Sequence, residues 1–378
     1  MHQRIRRCSS VPVAACAVLA PVAGSAQPLS QGSGSLRVMT YNAGEGTEYR
    51  ALFRAHNPAM YWQGVGQSFL EAQATDPWGR MQALAAQIAA AAPTLVSLQE
   101  VTRWQVGPYD SATRECGPMK VEIDMMPALL KALRALGANY EVAAQTPQFR
   151  STLMPGDLSP NDQRCFRVLN RNLILARSDL GPGQLQWRNP QAGQFGVPSE
   201  QATGPTTEAA QPRYYWPESR SWLSVDVQYQ GRWLRFIGAH LRNLGDPGTP
   251  STPRQDATEL RAVADASPVP VVIAMDANAR AAPRPADDTY TDFVAAGYRD
   301  AWAEVHPAWP GYTCCQSAAL DNPVSQLSRR TDWVLLRGAI QAESAARVGM
   351  QPSSRTASGL WPSNHAGVAV QLSVGKVP

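Results

Sequence analysis

The chain has 378 residues, and its 44% apolar and 17% charged content is that of a globular protein, which excludes a disordered or collagen-like chain. Its 34 basic residues stand against 30 acidic ones, and with Arg4, Arg6 and Arg7 of a leader set aside the balance falls to about +1. No Lys/Arg run makes a basic stripe for long nucleic acid, and nothing after the leader is apolar over the ~20 residues of a membrane span.

Arg4, Arg6 and Arg7 precede an apolar run from Val11 to Ala23, followed by Gly24-Ser25-Ala26. This is the pattern of a secretory signal cut after Ala26, so residues 1–26 read as a signal peptide and the protein as secreted or periplasmic. A competing reading takes Val13-Ala14-Ala15-Cys16 as a lipidation box, but apolar sequence continues past Cys16. Cys116, Cys165, Cys314 and Cys315 remain in the mature chain and are free to pair in an exported protein. Four cysteines allow three connectivities, and none of their spacings suggests zinc. A bridge between the neighbours Cys314 and Cys315 is disfavoured by geometry, and a structural role is expected for their loop.

Residues 27–35 form a polar, flexible lead. Leu36–Asn42 reads as a strand running into Gly44-Glu45-Gly46. Residues 47–77 lack a clean period and are expected to be a long loop insertion. Met81, Leu84, Ala85 and Ile88 follow helical spacing, and Pro93 stops the run. Leu95–Leu98 is a second buried strand, ending in Gln99-Glu100. A helix opens at Pro127 and stops at Gly137. Tyr140–Ala144 is a short strand, followed by a loop with Pro147, Pro155, Gly156 and Pro160. Asn172–Ala176 is a strand preceded by Arg171. Residues 178–217 are rich in Pro, Gly and Gln and are expected to be a second long surface loop. Trp222–Tyr229 and Trp233–His240 form a hairpin around Gln230-Gly231. A helix over Gln255–Asp265 leads to Val271–Asp276, an apolar run closed by Asp276 and, two residues on, Asn278. That pair either caps a turn or holds a metal, a water or a phosphate oxygen, and the stretch alone leaves both open. A helix near Asp288–Ala296, a strand Trp333–Leu336 and a last strand Val368–Val374 complete the chain. No repeat or linker interrupts residues 36–374, which read as one α/β domain.

Several strands end, or begin, on polar residues of one chemical family: Asn42, Glu100, His240, Asp276 with Asn278, Asp332, and Asn364-His365. Strands packed side by side converge such groups on one rim. The segments Val38-Met39-Thr40-Tyr41-Asn42, Leu98-Gln99-Glu100-Val101, Ala239-His240-Leu241, Met275-Asp276-Ala277-Asn278, Arg330-Thr331-Asp332-Trp333 and Ser363-Asn364-His365 resemble, in order, those of the endonuclease/exonuclease/phosphatase superfamily. Gly311-Tyr312-Thr313-Cys314-Cys315-Gln316, with Asn322-Pro323 and Leu327, looks like a bacterial and fungal branch of unassigned substrate, within the deoxyribonuclease-like, secreted bacterial-type part of the superfamily.

The resemblance implies a four-layer α/β sandwich, with two mostly antiparallel sheets face to face and helices on both outer sides. It also implies Mg²⁺-dependent phosphodiester hydrolysis, with Mn²⁺ or Ca²⁺ as alternative ions. Glu100, with Asn42 and Asn364, is the implied metal set. His365 is the implied general base, oriented by Asp332. His240 would stabilise the phosphorane or help protonate the leaving group, Asp276 and Asn278 would position nucleophile and phosphate, and Arg171 and Asn172 would bind phosphate. The substrate would be nucleic acid or a lipid head group, and the enzyme a monomer without a stable protein partner. A lipid phosphodiesterase, suggested by Tyr61, Trp62 and Trp78, and a weakened binding protein are the rival readings. Two departures stand out: Met275 and Ala277 replace the family's Gly and Phe, and Asn364 replaces the Asp that usually precedes the His. The second removes a negative charge, which weakens both metal attraction and the basicity of His365.

Overall fold

The computed structural model describes residues 35–196, 220–243, 252–282 and 286–375. The expected signal peptide, nearly all of the N-terminal lead and the 197–217 part of the second loop lie outside them. After β1 (Leu36–Asn42) come three helices, α1 (Arg50–Phe53), α2 (Pro58–Ala74) and α3 (Pro77–Ala91). The expected loop over 47–77 is therefore corrected. Asn57 accepts from the Met60 N–H and Pro58 fills the first turn, so α2 has a well-formed start. Its glycines hide the period because they serve packing: a Cβ at Gly66 would lie 1.9 Å from the Asp157 carbonyl oxygen.

Next come β2 (Leu95–Gln99), β3 (Arg103–Asp110), β4 (Glu115–Cys116), β5 (Lys120–Asp124) and α4 (Met125–Ala135). Asp124 caps α4, which places its start two residues before Pro127. β6 (Tyr140–Arg150), β7 (Met154–Ser159) and the long β8 (Asp162–Arg177) follow. The expected proline loop is mostly strand, because β6 and β7 each pair with β8 alone. At such an edge, and at the bulge by Pro147, a missing N–H breaks no ladder. The same reasoning covers β9 (Leu185–Gln194), an exposed edge strand carrying Pro190 inside the second expected loop. The chain then runs through β10 (Ser221–Tyr229), β11 (Arg232–His240), α5 (Pro253–Asp265), β12 (Val271–Asp276) and α6 (Asp288–Ala295). It closes with β13 (Arg299–Asp300), α7 (Ala301–Val305), β14 (Asp332–Arg337), β15 (Ile340–Val348) and β16 (Gly367–Val374).

One ten-stranded sheet runs β15-β16-β1-β2-β8-β3-β4, with β5 on β3 and β6 and β7 on β8; a six-stranded sheet runs β13-β14-β12-β11-β10-β9. β1 with β2 and β11 with β12 are parallel; the other pairings are antiparallel. Strand alternation sorts the apolar residues into three cores. Leu36, Val38, Leu223, Phe236, Val272 and Val370 fill the space between the sheets. Met39, Tyr41, Val96 and Leu98 face α2, α3 and α4, while Ile237, Ile273, Met275 and Leu335 face α5 and α6. The result is the expected four-layer sandwich of two mostly antiparallel sheets between helices. Central strands buried on both faces explain why β2 and β12 read as unbroken apolar runs.

Cys116–Cys165 joins β4 to β8, and Cys314 and Cys315 join each other, which corrects the expectation that neighbouring cysteines stay apart. Among the described residues no helix is long and apolar enough to cross a membrane.

Candidate active site

Strand register brings the polar ends together. His240 lies beside Asp276 on parallel β11 and β12, and Asp276 lies opposite Asp332 on antiparallel β12 and β14. The other sheet supplies Asn42, at the end of β1, and Glu100, just past β2. Asn42 Nδ2 donates to Asp276 Oδ2 at 2.9 Å and so bridges the two sheets. His365 precedes β16, and Ser363 fixes it: the Ser363 hydroxyl donates to the Asn42 carbonyl at 2.7 Å and accepts from the His365 N–H at 3.0 Å.

Asp276 fills the turn-capping role with one oxygen and joins the other sheet with the second. Oδ1 accepts from the Asn278 N–H at 2.9 Å and shapes a turn in which Asn278 takes φ +48°; Oδ2 meets Asn42. Burial raises the Asp276 pKa and the nearby Asp332 adds to it, against the pull of His365 and two hydrogen bonds. His365 Nδ1 sits 2.9 Å from Asp332 Oδ2, and its Nε2 is 3.8 Å from Asp276 Oδ2. Burial draws the His365 pKa down, but Asp332, Asp276 and Glu100 outweigh it and bring the group to about 9.

His240 behaves oppositely. Burial, then Arg220 and His365, hold its pKa well below the ordinary imidazole value. Its ring is neutral, and its partners select the tautomer: Nδ1–H donates to Gln148 Oε1 at 2.8 Å, while Nε2 accepts from Asn278 Nδ2 at 2.9 Å. Nε2 carries no proton, so the expected alternative of His240 as proton donor to the leaving group is at odds with this arrangement. Arg220 Nη1 lies 2.8 Å from Nε2 and 3.1 Å from Nδ1, against the ring.

These groups border a cleft of about 380 Å³, lined among others by Glu100, Asp276, Asn278, Asn364, His365 and Arg220. Asn42, His240 and Asp332 stand behind its wall, and Asn42 is fully buried, with its Oδ1 accepting from the Gly44 N–H at 2.9 Å. Arg171 and Asn172 are not brought to the cleft. Arg171 pairs with Asp124 and donates to the Val101 carbonyl, and Asn172 holds the Ser221 hydroxyl at 2.9 Å, so both are framework. Trp62, expected at a lipid surface, packs edge-on against Tyr109, whereas Trp78 is half exposed beside α4.

Sequence reasoning missed several members. Glu45 lines the cleft, held by Tyr49 and Asn170, and its N–H donates to Glu100 Oε2 at 3.1 Å. Arg80 lies fully buried under the rim and donates to the Ala43 and Gly44 carbonyls at 2.9 and 3.0 Å. Burial pushes its pKa down to about 10. Arg220 and Arg329 line the cleft, as do the joined Cys314 and Cys315. Arg220 was findable, since Ser221 next to it pairs in register with His240. Arg80 sits in α3 one residue before the apolar stripe that marks that helix, and Glu45, Cys314, Cys315 and Arg329 sit in loops with no periodic signal.

No family model and no curated protein matches the chain. Solved structures do. A mannosyl-6-phosphatase from Bacteroides thetaiotaomicron aligns at TM-score 0.51 and 14% identity over 89% of this chain and 99% of its own. An endonuclease/exonuclease/phosphatase family protein from Leptotrichia buccalis aligns at 0.51 and 13% over the same shares. One from Beutenbergia cavernae aligns at 0.51 and 21% over 91% of this chain and 73% of its own. The fold is that of the endonuclease/exonuclease/phosphatase superfamily.

Within this endonuclease/exonuclease/phosphatase fold, the donor set suits a hard divalent cation. Glu100 and Asn364 offer oxygens to the cleft, with Glu45 adjacent.

Proposed function

We propose that this chain is a metal-dependent phosphoesterase that hydrolyses a phosphodiester by His-activated attack of water. The observation that carries the reading is His365, held by Asp332 through Nδ1 while its Nε2 faces Asp276 in one cleft with Glu100 and Asn364. In its neutral form, which prevails above a pKa of about 9, such a histidine takes a proton from water at Nε2, and the Asp332 carboxylate stabilises the imidazolium that results. Asp276 and the Asn278 amide orient the attacking water and the phosphate. Neutral His240 holds Asn278 in place and backs Arg220, whose guanidinium faces the developing charge on the phosphorane. Asn42 positions Asp276 from the opposite sheet. Glu100 and Asn364 would hold Mg²⁺, which supplies Lewis-acid stabilisation of the phosphoryl oxygens when bound.

The reading is supported by the fold, by the six segments in order and by the paired, oppositely shifted histidines. The mannosyl-6-phosphatase that shares the fold makes a phosphomonoester the competing substrate. The test is hydrolysis of bis(p-nitrophenyl) phosphate and p-nitrophenyl phosphate with Mg²⁺ by wild type and His365→Ala. Faster turnover of the diester, abolished in the variant, is the expected result; equal activity of the two proteins would sink the assignment.

A further inference from the structure

A second cleft, of about 320 Å³, opens beside the first and is lined by Arg280, Pro310, Tyr312, Ser328, Arg329 and Arg330 among others. Its three guanidiniums differ in how they are used. Arg330 is buried and spent: it pairs with Asp300 at 2.6 Å and donates to the Pro310 and Ala282 carbonyls at 3.1 and 2.9 Å. Arg280 is not spent. Its Nε is buried without a hydrogen-bond partner, and among the described residues its guanidinium makes no ion pair. The Asp287 carboxylate is taken by the backbone N–H of Arg280 instead. Arg329 Nη2 reaches only Cys314 Sγ and Cys315 Sγ, at 3.6 and 3.5 Å. Among the described residues no acidic side chain lines this cleft.

Two guanidiniums that line one recess and make no ion pair among the described residues are arranged for an anion of phosphate geometry. The recess is contiguous with the catalytic cleft, because Arg329 lines both. Arg280 follows Asn278 by two residues, which keeps their Cα atoms within about 7 Å. Tyr312, 40% exposed, gives the lip an aromatic face. We propose that the Arg280–Arg329 cleft is a second phosphate subsite, seating a phosphate of the substrate one linkage from the scissile phosphorus. This rests on the phosphoesterase reading and sharpens it: the preferred substrates carry at least two phosphates.

The test is binding, which is independent of turnover. Calorimetry on the full protein in Mg²⁺ compares thymidine 5′-monophosphate with thymidine 3′,5′-bisphosphate, and glucose 6-phosphate with glucose 1,6-bisphosphate. Wild type is expected to favour a bisphosphate by about tenfold, as a charge-assisted guanidinium contact provides. Arg280→Ala, checked for its fold by circular dichroism, is expected to bring that ratio close to one, and Arg280→Lys to retain part of it. A gain in the nucleotide pair alone assigns a nucleic-acid strand; a gain in both pairs assigns bisphosphates generally. A wild-type ratio near one, a ratio unmoved by Arg280→Ala, or no binding of any of the four compounds overturns the proposal. Failure of the phosphoesterase reading appears separately, as absent hydrolysis of bis(p-nitrophenyl) phosphate by a protein that still discriminates between the nucleotides.

Discussion

Asp332→Asn is the substitution that isolates the electrostatic part of the site. It keeps the shape of the side chain and removes the charge that faces His365 Nδ1 at 2.9 Å. His365 stands at about 9 against 6.5 for the free group, a rise of about 2.5 pH units and on the order of 3 kcal/mol. A histidine raised by folding stabilises the native state fully below its unfolded pKa, and that contribution is lost as pH rises through the folded pKa. Without Asp332, burial is opposed by Asp276 and Glu100 alone, and the group falls from about 9 toward its ordinary value. The variant is therefore expected to lose up to about 3 kcal/mol relative to wild type near pH 6, with the difference vanishing above about pH 9. Catalysis should respond in two ways. The acid limb of kcat/KM moves to lower pH, because the base is neutral over a wider range. The plateau falls by about 10²–10⁴-fold, the usual contribution of a positioned base. The assays are denaturant unfolding across pH, NMR titration of His365 and the pH–rate profile with Mg²⁺. A His365 pKa still near 9 in the variant, or a plateau close to wild type, would refute the account.

Three further outcomes follow from the geometry. Asn364→Asp restores a carboxylate to the rim and is expected to tighten Mg²⁺ roughly tenfold, since ligand charge tunes sites for hard cations; calorimetric titration that finds no change would remove Asn364 from the reach of the ion. Gly44→Ala forces a Cβ to 2.7 Å from Asn364 Oδ1 at a backbone φ of +67°. It should destabilise the protein by roughly 1–3 kcal/mol and weaken Mg²⁺ binding, both read from thermal melts with and without the ion. Joint replacement of Cys116 and Cys165 by Ser opens a closure over a separation of 49 residues and is expected to cost about 4 kcal/mol; an unchanged melting temperature in the oxidised protein would contradict it.

The rim was legible because its residues sit at ends of central strands. An apolar run such as Val271–Met275 is buried on both faces, so its abrupt polar end is visible without any structure. What escaped lies where packing contradicts composition. Gly66 looks like loop and serves close approach inside α2. Pro147, Pro155 and Pro190 look like loop and lie in strands paired on one side. β15 carries Gln, Ala, Glu, Ser and Arg between Ile340 and Val348, so its β-branched signal is confined to its ends, as suits a strand that borders the sheet beyond β16. Arg171 was misjudged for a related reason: a charged residue beside a strand says nothing of which face it takes, and Asp124 claims this one.

The hydrogen bond from Asn42 to Asp276 joins groups that belong to different sheets. The rim is thus a seam, and whatever is seated there is gripped from both halves of the sandwich. A bound cation or phosphate resists the sheets being pulled apart, so occupancy reports on the assembly of the whole body, with a stabilisation that grows as RT ln(1 + [L]/Kd). Neither half carries the cleft alone, and a chain that has not yet brought its two sheets together has not formed it.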